Sequence, residues 1–171
     1  RLQTNFSSID KVIVVYPAFN GKASADGKEI YLNGAFTESS FFQVFGFSLA
    51  AGDPATALQK PNTIVISAIT AEKFFGKQNA IGKVFIMENG QNFIVSGVMN
   101  KAPGKSHLNY DVYASCSSVT GMEKNKILPE KLTDWFAFDA SYTYVLLKKG
   151  LTVKTLNNEL RTVGAELNSI N

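Results

Sequence analysis

Ser106, His107 and Asp111 are the residues close in sequence whose types could do nucleophilic or acid–base chemistry. A serine, a histidine and a carboxylate are the parts of a nucleophile, its base and the group that orients the base. The spacing argues against that use. Residues four apart on a strand stand about 13 Å apart along it, so His107 and Asp111 would share a face without hydrogen bonding. A histidine where a loop enters a strand is expected as a polar anchor. Gly76-Lys77-Gln78-Asn79-Ala80-Ile81-Gly82-Lys83 imitates a phosphate loop. A P-loop needs four residues between its glycines and a Ser or Thr after the lysine. This stretch has five between Gly76 and Gly82, and Val84 follows Lys83. It also leads from a helix into a strand, so no helix N-terminus faces a phosphate. It reads as a helix stop and a turn.

Metal chemistry lacks its ligands. The chain has one cysteine, Cys116, and one histidine, His107, too few for a His/Cys zinc cluster or an internal disulfide. The carboxylates, from Glu29 through Asp53 and Glu88 to Glu166, are mostly isolated in expected surface positions. None pairs at the spacing of a glycosidase dyad or a calcium loop. Trp135, Phe136 and Phe138 form an aromatic cluster, expected as a core corner with an exposed binding patch as the alternative. No catalytic, cofactor-binding or metal residues are assigned, and no cofactor is expected.

The chain has 171 residues, 45% hydrophobic and 18% charged. That length suits one globular domain or two small subdomains sharing a core, without a metal or disulfide staple. The net charge is +3, but the lysines are scattered, and a nucleic-acid binder would concentrate them on one face. The first residue is Arg1, and no apolar run reaches the 18 residues a membrane helix requires. The chain is therefore expected to be a trimmed fragment.

The elements follow from pattern. Arg1 to Ile9 suggests the end of a helix. Lys11–Phe19 and Glu29–Phe36 read as strands, joined through a longer loop over Gly21–Gly27, with Pro17 marking a sheet edge or strand end. Thr37 or Ser39 caps a short helix with Phe41, Phe42 and Phe45 on its apolar side and Gly46 as its stop. Thr63–Ile66 is a compact strand. Ser67 caps a helix closed by Gly76. Lys83–Met87 and Gln91–Val98 form a hairpin at Asn89-Gly90. Pro103-Gly104 is a turn, Asn109–Ala114 a strand, Ser117–Lys126 a helix and Tyr142–Leu147 the last strand. From Val153, through Leu156, Leu160, Val163 and Leu167, an apolar stripe marks an amphipathic helix that packs on a sheet. The order predicts an α+β fold with mixed, mostly antiparallel sheets and short helices.

One stretch carries a family likeness. Phe41-Phe42-x-Val44-Phe45-x-Phe47, Leu49 and Gly52-Asp53 are followed by Pro61–Ser67 and Ala71-x-Lys73-Phe74-Phe75-Gly76. Ile81-Gly82-Lys83, Phe93-x-Val95-x-Gly97-Val98, Pro103 and Ser106-His107-Leu108 continue in order. This resembles the MacB-like periplasmic core domains of FtsX-like ABC transporter permeases, in a Bacteroidetes-type variant. The resemblance implies two α/β subdomains within one domain of 1–171: a porter-like part, 1–38 with 107–171, and an inserted part, 39–106. It implies an extracytoplasmic domain on the periplasmic side of the inner membrane that transmits ATP-driven conformational change to a periplasmic partner or substrate. The implied partners are the remainder of the permease, its cytoplasmic ATPase and a periplasmic adaptor or substrate protein. The full-length protein is expected to be dimeric and the isolated domain monomeric, with membrane helices before Arg1 and after Asn171. A ligand-binding or sensor module for a peptide, lipid or antibiotic is the alternative, and a hydrolase using Ser106, His107 and Asp111 a third.

Overall fold

The computed structural model describes residues 6–100, 106–128, 132 and 140–168, with 163–168 described by backbone alone. The Pro103-Gly104 turn, the cluster of Trp135, Phe136 and Phe138, and the side chains of Val163 and Leu167 lie outside the described residues. The chain divides into two compact units, Val14–Tyr142 and a smaller one of Arg1–Ile13 with Thr143–Asn171.

The larger unit is built on strand pairing that returns on itself. Its strands are β1 (Ile9–Ala25, which begins in the smaller unit), β2 (Lys28–Thr37), β3 (Leu49–Ala51), β4 (Thr63–Ile66), β5 (Val84–Met87), β6 (Asn92–Met99) and β7 (Val112–Ser115). They pair in the order β2-β7-β4-β6-β5-β1, and β1 also pairs with β2, so six strands form a closed circuit; β3 branches from β6. The β2–β7 and β4–β6 pairs are parallel and the other pairings in this unit antiparallel. The mixed, mostly antiparallel α+β expectation is met.

Aromatic residues fill the circuit. Strict alternation along β5 and β6 turns Phe85, Met87, Phe93 and Val95 inward. Phe19 of β1 meets Phe36 of β2 edge-on at 5.5 Å and Phe93 of β6 at 4.8 Å. Phe74, from helix α2 (Ala68–Phe75), packs edge-on against Phe85 at 4.6 Å. A second aromatic group lies on the other face of β7. There Tyr113 meets Phe41, from helix α1 (Ser40–Phe45), at 4.7 Å, and Phe42 and Phe47 lie close by. All four residues of β7 are buried because the strand has packing on both faces.

The caps behave as read for α2. Ser67 is extended and its hydroxyl accepts from Thr70 N at 3.0 Å. At the other end Lys28 Nζ donates to the carbonyls of Lys73 and Phe74, each at 2.9 Å. Ser39 does not cap α1 through its side chain; its hydroxyl instead accepts from Leu58 N at 3.0 Å.

Several boundaries differ from expectation, each for a local reason. The Gly21–Gly27 loop is strand up to Ala25, and Asp26-Gly27 makes a two-residue turn with φ of 50° and 73°. Asp-Gly is suited to that positive-φ hairpin geometry. Pro17 sits inside β1, not at its end, where the register with β2 shifts between Tyr16 and Phe19; a bulge tolerates the missing N–H. Gly34 faces this bulge, where a Cβ would come within 2.7 Å of the Val112 carbonyl. In the β5–β6 turn only Gly90 has positive φ, at 79°; Asn89 instead accepts from Gln91 N at 3.0 Å through its side chain. β7 starts at Val112, not Asn109, because the chain before it folds back, with the Tyr113 hydroxyl donating to the Leu108 carbonyl at 2.6 Å. Residues 116–118 form a 3-10 turn before helix α3 (Val119–Lys124).

The smaller unit holds the start of β1, strand β8 (Tyr142–Leu147, whose first residue belongs to the larger unit) and helix α4 (Val153–Asn168). β8 lies next to β1 in the pairing order. Phe6, Ile9 and Leu156 form its buried cluster, with Val12 and Leu147 packed against it. Phe6 to Ser8 are not helical; they turn directly into β1. The stripe on α4 is only partly used: Leu156 is buried, whereas Val153 is 66% and Leu160 44% exposed.

Phe93 is fully buried and links β6 to β1. Phe93→Ala is expected to lower unfolding free energy by about 3–5 kcal/mol, read from urea denaturation midpoints at unchanged slope.

Candidate functional site

Two of the residues that looked chemical, Ser106 and Asp111, are spent on the backbone. Ser106 Oγ accepts from Leu108 N at 3.1 Å. The Asp111 carboxylate accepts from Asn33 N at 3.1 Å, while its main chain bonds Asn33 O and Ser67 N. Asp111 thus holds β2 and the start of α2 to the lead-in of β7. Ser106 and His107 are exposed on the loop before it.

In the Gly76–Lys83 stretch the main-chain donors of Gly76, Gln78, Ile81, Gly82 and Lys83 are occupied. Gly76 N bonds Glu72 O, Gln78 N bonds Phe75 O, Gly82 N bonds Val95 O and Lys83 N bonds Ala80 O, at 2.8 to 3.1 Å. Ile81 N donates to Asn79 Oδ1 at 3.0 Å. A phosphate cradle requires such N–H groups to converge on an open point, and here they close turns. Lys83 Nζ lies 3.4 Å from Gln78 Oε1 and 5.8 Å from the centre of the Phe75 ring.

Cys116 and Glu38 follow the paired ends Ser115 and Thr37 of the parallel strands β7 and β2. Burial pushes the Cys116 thiol up to about 12, and the Glu38 carboxylate adds to the effect. Burial likewise raises Glu38, against a lowering contribution from the Ser40 hydroxyl. A protonated, half-buried thiol is neither nucleophile nor metal ligand. Among the described residues no group of three His, Cys, Asp or Glu could hold a metal ion. None of their helices is long and apolar enough to cross a membrane.

Glu159 on α4 is held by a pair of serines far away in sequence. Its Oε1 accepts from Ser7 Oγ, and its Oε2 accepts from Ser8 Oγ and, at 3.3 Å, from Ser8 N. The Ser8 carbonyl accepts from Lys148 N at 2.9 Å. The Ser7 hydroxyl, then that of Ser8, holds the Glu159 carboxyl below the ordinary glutamate value, with help from the Ser8 N–H and the Lys148 charge. Sequence reasoning missed this junction. Glu159 reads as an isolated surface carboxylate, and nothing local points to a partner 151 residues away.

The model for the MacB-like periplasmic core domain family matches residues 1–163. Among solved structures, a domain of a putative permease from Porphyromonas gingivalis is similar, with TM-score 0.78 and 21% identity over 96% of this chain and 73% of that one. The periplasmic region of MacB from Actinobacillus actinomycetemcomitans follows, with TM-score 0.68 and 18% identity over 96% and 70%. The extracellular domain of the noncanonic ABC-type transporter YknZ from Gram-positive bacteria gives TM-score 0.62 and 16% identity over 92% and 73%. No curated protein matches the chain in sequence.

Two outcomes are expected from these environments. Cys116 should react with a thiolate-seeking reagent at neutral pH only after unfolding, seen as a label that appears in denaturant and not in buffer. A carboxyl depressed in the folded state stabilises above its unfolded value, and that stabilisation is lost as pH falls through the lowered value. The gap in melting temperature between the parent chain and Glu159→Gln should therefore hold down to about pH 4.3, the ordinary glutamate value, and close below it.

Proposed function

The chain belongs to the MacB-like periplasmic core domain family, and from that premise we propose that its task is mechanical. It is the periplasmic domain of a MacB/FtsX-like ABC transporter permease. Our reading is that it carries the conformational change driven by ATP hydrolysis in the cytoplasm to a protein or substrate in the periplasm. The family is generally non-catalytic, and we extend that to this chain: it turns over no substrate of its own.

The observation that carries the reading is how the ends of the domain are arranged. The N-terminal segment and the C-terminal helix lie in one small unit, where Ser8 bonds Glu159 of the helix and Lys148 just after β8. β1 starts there at Ile9 and continues, through the bulge near Pro17, to Ala25 in the larger unit. An extracytoplasmic domain held by membrane helices at both ends receives their displacement through such a unit. In our reading the continuous strand is the route by which that displacement is handed on. The partners in this reading are the rest of the permease, its ATPase and a periplasmic adaptor or substrate protein, with the full-length protein acting as a dimer. The division into 1–38 with 107–171 and 39–106 is likewise a proposal from the family likeness.

The test uses the full-length permease with its ATPase in lipid nanodiscs. A fluorophore on Asn89→Cys, at the exposed β5–β6 turn, reports energy transfer to acceptor lipids. The buried thiol of Cys116 does not compete for that label, and cysteines elsewhere in the permease and its ATPase are replaced by serine. We expect transfer to differ between the ATP-trapped and ADP-bound states. Equal transfer in both states sinks the mechanical reading.

A further inference from the structure

Ser8 directs every polar group it has at the C-terminal part of the chain. Its N–H and hydroxyl go to Glu159, and its carbonyl to the Lys148 N–H. Its neighbour Ser7 gives a second hydroxyl to the same carboxylate. Both oxygens of one ionised group are thus engaged by two consecutive residues, a two-point contact that fixes orientation as well as distance.

Among the described residues the apolar seat beside it is small. Phe6, Ile9 and Leu156 are the buried members, with Val12 and Leu147 at the margin. On α4, Val153 and Leu160 face solvent on either side of Leu156. Where it is described, the helix is therefore held mainly over the single turn from Leu156 to Glu159. Ser8 is fully buried, so removing the carboxylate leaves a buried hydroxyl without that partner, which costs more than an exposed contact would. Among the described residues, this polar contact and Leu156 are what tie the helix to the N-terminal segment.

We propose that the Ser7–Ser8–Glu159 junction is a latch that makes the N-terminal segment and α4 move as one piece. It rests on the mechanical reading above and names the contact through which that reading works. With the latch closed, displacement of either end reaches Ile9 and so β1. With it open, α4 slides or swings on Leu156 without moving the strand, and the two ends act separately.

Glu159→Gln keeps the helix and weakens the acceptor, whereas Ser7→Ala with Ser8→Ala removes the hydroxyl donors and leaves the helix untouched. Both are placed in the full-length permease with the Asn89→Cys label. Hydrogen exchange on the same samples should show faster exchange in residues 6–9 and 156–162, with the β6 and β7 amides still protected, which establishes that the larger unit is folded. We expect both variants to keep hydrolysing ATP and to lose at least half of the nucleotide-dependent change in energy transfer. Full change in both variants, with the parent protein also responding, overturns the latch and leaves the mechanical reading standing. Exchange in 6–9 and 156–162 that matches the parent overturns the latch as well. No change in the parent protein overturns the mechanical reading and, with it, the latch.

Discussion

The pairing of β1 with β2 is the contact on which the larger unit depends. Without it, β2-β7-β4-β6-β5-β1 would be an open sheet with two edges and one exposed aromatic face. With it, the circuit closes and both edges are used. The closure needs β1 to reach β5 at Ala23 and Ser24 while holding β2 from Tyr16 to Ala25. Both pairings lie in the part of the strand from Tyr16 onward, and the one-residue bulge near Pro17 falls where they begin. Phe19 emerges from that bulge between Phe36 and Phe93, so the bend that closes the circuit also aims its central ring.

Closing a circuit leaves an irregular segment to be accommodated. Residues 53–62 are turns, yet Ala57 and Leu58 are buried. Buried backbone outside a ladder must find partners elsewhere. Serine hydroxyls supply them. Ser115 donates to Leu58 O at 2.7 Å and Ser96 to Ala57 O at 2.6 Å, while Ser118 accepts from Asn62 N at 2.8 Å. Ser39 takes the Leu58 N–H, which explains why it leaves α1 uncapped. The same economy governs Ser106 and Asp111, whose polar atoms hold turns and strand starts. Residues that suggest a reaction in sequence serve here to satisfy the main chain.

Most elements were legible because their signals are local. Ser67 and Gly76 bracket α2, Gly46 stops α1 at φ 71°, and alternation defines β5 and β6. The misreadings share a cause. Ala23 and Ala25 are too small to look like a buried strand face, and the glycine-rich stretch around them reads as a loop. They are buried because that end of β1, paired with β2 on one edge and β5 on the other, turns this face into the circuit, a fact about neighbours distant in sequence. β7 likewise reads as a strand, but not as one buried on both faces. The stripe on α4 overstates burial, since periodicity shows which side is apolar and not whether anything covers it.

The amino-acid order by itself determined the inventory: which segments are strands and helices, and where glycine and proline punctuate them. It also carried the family, because Phe41 to Leu108 preserves side-chain types at fixed intervals. The tertiary structure decided which strands meet, that the pairing closes, and that Glu159 lies on Ser7 and Ser8. Period and capping act over a few residues and are written in neighbouring side chains. Strand partners and a junction spanning 151 residues depend on the path of the chain between them, which no local pattern records.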